Sequence, residues 1–308
     1  MVCWWKELLR SQHGVKSCVS DSSSSPIDIA ESKGGTSGIG AAVVEELAKQ
    51  KAQIVLLVRD HADAWTVDYI EDLRRRTDNN LIYAETCDLN SLHSVRTFAT
   101  KWIDTMPPRR LDMIICNAGV LVPPFVGTRQ TGDHVELHWG LNFLSHYHLI
   151  NLLSPALRAQ PADRDVRLLF TTCAMYAIGN LSSPEPSTIS SWKLLGASKL
   201  ALMMMVQDLQ RHFDSSQLKN KGVSNIRCYC IDPGLVRTPL LRGFLSFGSI
   251  WGLLLYLLVW PFFYLILKSP WEGAQTILHC AMSPIDYGKR AEDGWGSAAY
   301  YRDCQEAK

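Results

Sequence analysis

A chain of 308 residues with nearly balanced charge, formally +1 at neutral pH, is long enough to bury a sizeable core in one α/β domain or two small ones. That balance removes the electrostatic case for a nucleic-acid partner. Nine cysteines, an odd number without a CxxC or Cys/His ligand spacing, argue against a disulfide framework and a zinc site and fit reduced thiols facing cytosol.

Residues 1–33 form an N-terminal segment, and the domain is drawn over 34–308. Trp4, Trp5, Leu8 and Leu9, with Lys6 and Arg10, have the make-up of a short amphipathic helix for a membrane surface. The run is too short and too charged for a signal peptide or a span. Asp21-Ser22-Ser23-Ser24-Ser25-Pro26 reads as a flexible linker. Ile27-Asp28-Ile29-Ala30 and Glu31-Ser32-Lys33 follow, a poor central strand where a buried one is needed.

Gly34-Gly35-Thr36-Ser37-Gly38-Ile39-Gly40 organises the chain. Glycines at 34, 38 and 40 let the backbone approach a ligand closely, and Val43, Val44 and Leu47 in the run to Lys51 are spaced for a helix. The loop therefore ends at a helix N-terminus, where free N–H groups can hold a pyrophosphate. Gln53 to Val58 is a continuous apolar run of strand length that ends at Arg59. An acidic residue there would bind the adenosine ribose of NAD, whereas a guanidinium suits the 2′-phosphate of NADP(H); the alternative is a solvated strand end beside Asp60.

Asp63 to Arg76 reads as a polar helix, Leu81 to Ala84 as a strand closing on Cys87-Asp88-Leu89, and Leu92 to Trp102 as a helix. A strand at Leu111 to Cys116 then opens onto Asn117-Ala118-Gly119. The alternation predicts an α/β doubly wound parallel sheet, a Rossmann-like three-layer sandwich with an atypical first strand.

With these motifs in this order the chain resembles the short-chain dehydrogenase/reductase family. The resemblance rests on the glycine loop at 34–40, Asp88-Leu89, Asn117-Ala118-Gly119, Pro233-Gly234 and Thr238. It covers roughly residues 34–304 and is similar to the retinol dehydrogenase-like branch in Leu137 to Leu144 and Lys268 to Thr276. It implies coenzyme-binding roles for Gly34, Ser37, Gly38, Ile39, Gly40, Arg59, Asp88 and Leu89 (adenine), Asn117, Ala118, Gly119, Lys199 (ribose), Pro233, Gly234 and Thr238. The family's catalytic asparagine matches Asn142, its serine aligns with Cys173, and its lysine matches Lys199.

The family's tyrosine, four residues before the lysine and so one helical turn away, is replaced by Leu195, which cannot donate a proton. Three readings follow: another group such as Tyr176 donates, the chain binds coenzyme without turnover, or the sequence is a faulty gene model. Tyr176 also fits as a packing residue. No histidine is placed by any motif to activate Cys173, which reads as a serine replacement rather than a nucleophile.

Leu200 to Val206 is apolar all round, as in a helix buried in a domain or subunit interior, and the resemblance implies a homodimer there. Phe244 to Leu267 carries no charge and is long enough to span a bilayer. A span would strand residues 270–308 across the bilayer from their own sheet. A hydrophobic, membrane-dipping lid is preferred over a span or an interfacial helix pair broken at Pro261. Ser269-Pro270-Trp271-Glu272 then starts a helix to about Met282, and Gly294 to Tyr301 supplies a last strand. The resemblance implies hydride transfer between NADP(H) and a lipophilic ketone, aldehyde or alcohol, such as a retinoid, sterol or other lipid. It also implies cytosol-facing membrane association, at the endoplasmic reticulum or a lipid droplet, or a cytoplasmic protein.

Overall fold

The apolar runs form strands and the amphipathic segments between them form the helices that cover both faces. In a computed structural model, residues 27–30, 34–105, 111–123, 129–161, 164–182, 190–218, 225–239, 258, 260, 264, 267–283 and 298–307 are described. The first half comprises β1 (Ile27–Ala30), α1 (Gly38–Lys49), β2 (Gln53–Val58), α2 (Ala64–Thr77), β3 (Ile82–Thr86), α3 (Leu92–Ile103) and β4 (Met113–Cys116). The second comprises α4 (Leu137–Trp139), a wide π turn (Gly140–Leu144), α5 (Ser145–Arg158), β5 (Val166–Thr171), α6 (Ser191–Leu218), β6 (Ile226–Asp232), α7 (Pro270–Met282), β7 (Ala299–Arg302) and β8 (Gln305–Glu306).

The strands run in the order β3-β2-β1-β4-β5-β6-β7-β8, parallel except for the β7–β8 pair. The order reverses between β1 and β4, and the crevice beyond the strand ends at that reversal is where ligands bind in open sheets of this kind. Alternate residues of each strand face opposite coats. Ile54, Leu56 and Val58 pack with α1, α2 and α7, whereas Val55 and Leu57 pack with α3, α5 and α6.

The segment that reads as a poor central strand is nevertheless the central strand. β1 pairs with β2 on one side and β4 on the other, with Ile29 opposite Val55 and Ile114. Backbone hydrogen bonds to two neighbours hold it, and these do not depend on side-chain character. The sheet therefore takes in residues that the sequence reading placed ahead of the domain. The last strand is Ala299–Arg302, and a tight turn at Asp303 and Cys304, both at positive φ, leads back into β8. The stretch Leu200 to Val206 is not buried all round: Leu202 and Val206 are fully buried, but Met204 is 56% exposed. Nearly all of 244–267, and all of 1–26, lie outside the described residues.

Candidate functional site

The glycine turn closes on α1 at a distance only glycine permits. Gly38, the first residue of α1, sits at φ +57°, a conformation L side chains rarely adopt. A Cβ on Gly40 would lie 1.2 Å from the Gly34 carbonyl oxygen and 2.8 Å from Asn117 Nδ2. That same oxygen accepts a hydrogen bond from Asn117 Nδ2 at 2.7 Å. The Thr171 hydroxyl donates to Asn117 Oδ1 (3.0 Å), and the Thr171 carbonyl accepts from Lys199 Nζ (2.8 Å). Side chains thus join the turn to the ends of β4 and β5 and to α6, around the crevice.

Asn142 lies in the π turn, a helix irregularity frequent at functional sites, and is fully buried. Its Oδ1 accepts from the Val120 N–H (2.7 Å), and its Nδ2 donates to the Val120 carbonyl (3.1 Å) and to Ser198 Oγ (3.3 Å). A Cβ on Gly119 would meet Asn142 Oδ1 at 3.3 Å and Lys199 Nζ at 3.7 Å. Asn142, Lys199 and the 117–119 turn therefore converge.

Leu195 is buried one turn before Lys199, on the same helix face. Cys173, half-buried after β5, has its thiol pushed up by burial, against the opposing pull of the Lys199 ammonium. It is a thiol rather than a thiolate at neutral pH, which fits a serine replacement. Tyr176, in the 3₁₀ turn Ala174–Ile178, packs edge-on against Tyr300 with ring centroids 6.0 Å apart. The Tyr300 hydroxyl in turn donates to the buried Asp232 (3.1 Å).

The outer positions follow the carboxyl ends of β2, β3 and β6. Arg59 directly follows β2, is exposed, and makes no ion pair among the described residues. Asp60 Oδ1 accepts from the Ala62 N–H (2.9 Å) in its own turn, and no ion pair joins Asp60 to Arg59 among the described residues. Asp88 Oδ1 accepts from the Asn90 N–H (3.0 Å), and Leu89 is buried. After β6, Gly234 sits at φ +78° with its N–H on Asp232 Oδ1 (2.8 Å), and Thr238 Cγ2 would lie 3.3 Å from a Cβ on Gly38. Val236 bridges to Lys268, with Arg237 N donating to the Lys268 carbonyl (2.9 Å) and Lys268 N to the Leu235 carbonyl (3.0 Å). The bridge clips together the two ends of the stretch that contains the apolar run 244–267.

The sequence profile of the short chain dehydrogenase family matches residues 32–246. The chain belongs to this family. The uncharacterized oxidoreductase pbr1 of Schizosaccharomyces pombe is 48% identical over 259 residues, spanning 82% of this chain and 69% of pbr1. Retinol dehydrogenase 14 of Mus musculus is 30% identical, spanning 89% of this chain and 77% of its own. A Shigella flexneri short chain dehydrogenase complexed with NADP superposes with a TM-score of 0.57 at 21% identity, over 83% of this chain and 90% of that one. At that identity the likeness speaks for the fold.

The turn at Gly34, Gly38 and Gly40, tied to Asn117, stands at the N-terminus of α1, where backbone N–H groups are free to hold an anionic group. Sequence reasoning missed Thr171, whose two polar groups tie Asn117 to Lys199. It also missed Glu136, which caps α4 by accepting from the His138 and Trp139 N–H groups (3.0 and 2.8 Å). A carboxylate just ahead of the helical run Leu137 to Leu144 was the available signal.

Proposed function

We propose that this short chain dehydrogenase is an NADP(H)-dependent oxidoreductase acting on a lipophilic ketone, aldehyde or alcohol at a membrane surface. The observation that carries the reading is the chain of hydrogen bonds from Gly34 through Asn117 and Thr171 to Lys199. A bound nicotinamide would supply or accept a hydride at a substrate carbon. Backbone N–H groups from Gly34 to Gly40, including those of Ser37 and Ile39, hold the pyrophosphate at the start of α1. Exposed Arg59 holds the 2′-phosphate, Asp88 and Leu89 flank the adenine, and Lys199 holds the ribose. Ala118, Gly119, Pro233, Gly234 and Thr238 line the nicotinamide end. Exposed Leu235, Leu258, Trp260 and Tyr264 favour an oily substrate or a membrane; no helix among the described residues is long and apolar enough to span one. The apolar run Leu200 to Val206 on α6, with Met204 exposed, is the face on which a second copy would dock.

Leu195 supports a second reading, in which the chain binds NADP(H) without appreciable turnover and acts as a partner or sensor. A missing general acid removes about 10²–10⁴ in rate. NADPH and NADH titrations followed by thermal unfolding test the reading common to both. NADPH at 100 times its Kd adds about 2.7 kcal/mol of stability. No shift with either coenzyme overturns both readings.

A further inference from the structure

The segment after Asn117 is held along one helix face by side chains spaced four residues apart. His138 Nε2 accepts from the Val122 N–H (3.1 Å), Asn142 bonds both polar groups of Val120 (2.7 and 3.1 Å), and His146 Nε2 donates to the Ala118 carbonyl (3.0 Å). Alternate backbone residues 122, 120 and 118 thus meet helix positions 138, 142 and 146 in antiparallel order. The four-residue spacing on the helix and the two-residue spacing on the segment keep the three pairs in register.

The end rung at His138 is set from behind. Glu136 Oε1 lies 2.7 Å from His138 Nδ1. Because Nε2 accepts from Val122, the ring proton is on Nδ1, where that carboxylate receives it. His138 is 1% exposed, so a lost acceptor there would leave the Val122 N–H without water as a substitute. The held segment carries Gly119, where a Cβ would meet Asn142 Oδ1 and Lys199 Nζ.

We infer that His138, oriented by Glu136, is a positioning residue for the coenzyme site: it fixes Ala118–Val122 as the wall against which Asn142 and Lys199 are set. This rests on the proposal that coenzyme lies against Asn117, Ala118 and Gly119. Asn142 alone would hold the middle of the segment and leave its distal end free to swing.

The test is amide hydrogen exchange at Val120 and Val122 in coenzyme-free protein, paired with NADPH affinity by fluorescence, for wild type, His138→Leu and His138→Gln. The leucine variant exchanges Val122 about tenfold faster and binds NADPH about tenfold more weakly. The glutamine variant, whose amide oxygen can accept from Val122, stays within about threefold of wild type in both. Should the leucine variant not fold, Glu136→Gln carries the same pair of measurements, with changes of about threefold. Unchanged exchange in a folded leucine variant overturns the inference, as does faster exchange in it with unchanged affinity or a glutamine variant no better than leucine. Wild type that binds no NADPH while Val122 exchange still responds sinks the coenzyme reading and leaves His138 a structural latch, not a positioning residue.

Discussion

Asn117 and Gly40 meet at one atom: the Gly34 carbonyl oxygen accepts from Asn117 Nδ2 at 2.7 Å and would be 1.2 Å from a Cβ on Gly40. The end of β4 and the start of α1 are therefore locked around a single carbonyl, and that lock shapes the cradle.

Gly40→Ala tests it. The added methyl cannot fit without displacing Gly34 or α1, because the atom it meets is backbone rather than a flexible side chain. The expected cost is about 3 kcal/mol or more, seen as a lower midpoint in urea unfolding, together with loss of NADPH binding. A variant with wild-type stability and affinity would show that the turn is not packed this way.

On the proposed reading, Arg59 holds the 2′-phosphate that distinguishes NADPH from NADH. Arg59 is exposed and makes no ion pair among the described residues. Charge-assisted hydrogen bonds contribute about 1.5–3 kcal/mol, so Arg59→Ala weakens NADPH by roughly 10- to 100-fold and leaves NADH affinity nearly unchanged. Equal losses for the two coenzymes in calorimetric titrations would remove Arg59 from the phosphate site.

Leu195→Tyr separates slow catalysis from a pocket that takes no such substrate. The phenol would sit one turn from Lys199, whose ammonium favours its ionised form. With retinal as the acceptor, NADPH oxidation should rise by about 10²–10⁴. Unchanged NADPH affinity is the control for correct folding. No gain in a coenzyme-binding variant would place the deficiency in the substrate pocket.

What the sequence made legible follows from the range of the interactions involved. Strand and helix order was readable because apolar runs and helical spacing are local signals, and the glycine turn, Asn117 and Lys199 stood out as candidates because they match motifs of a known family. The pairing of β1 was not, because Asp28 and the polar residues after Ala30 weaken the local signal while two neighbouring backbones supply the stability. Thr171 and His138 escaped notice for a related reason. Thr171 acts on Asn117, 54 residues earlier, and His138 acts on Val122, 16 residues earlier, and no periodicity in sequence encodes such partners.

Glu136 makes a prediction about acid. Burial works to raise its carboxyl pKa, but hydrogen bonds from the His138 ring and from the His138 and Trp139 backbone outweigh it, and the net shift is downward. A carboxyl with a depressed folded pKa contributes stability that is present above its unfolded value, about 4.3, and is lost as pH falls through the folded value. Thermal midpoints of wild type and Glu136→Gln should therefore differ most at neutral pH and draw together below about pH 4. The wild type falls more steeply with acid because its folded state must take up a proton that costs it the contacts to α4. A gap that stays constant from neutral to acid pH would mean that the charge on Glu136 contributes nothing to holding His138 and the start of α4.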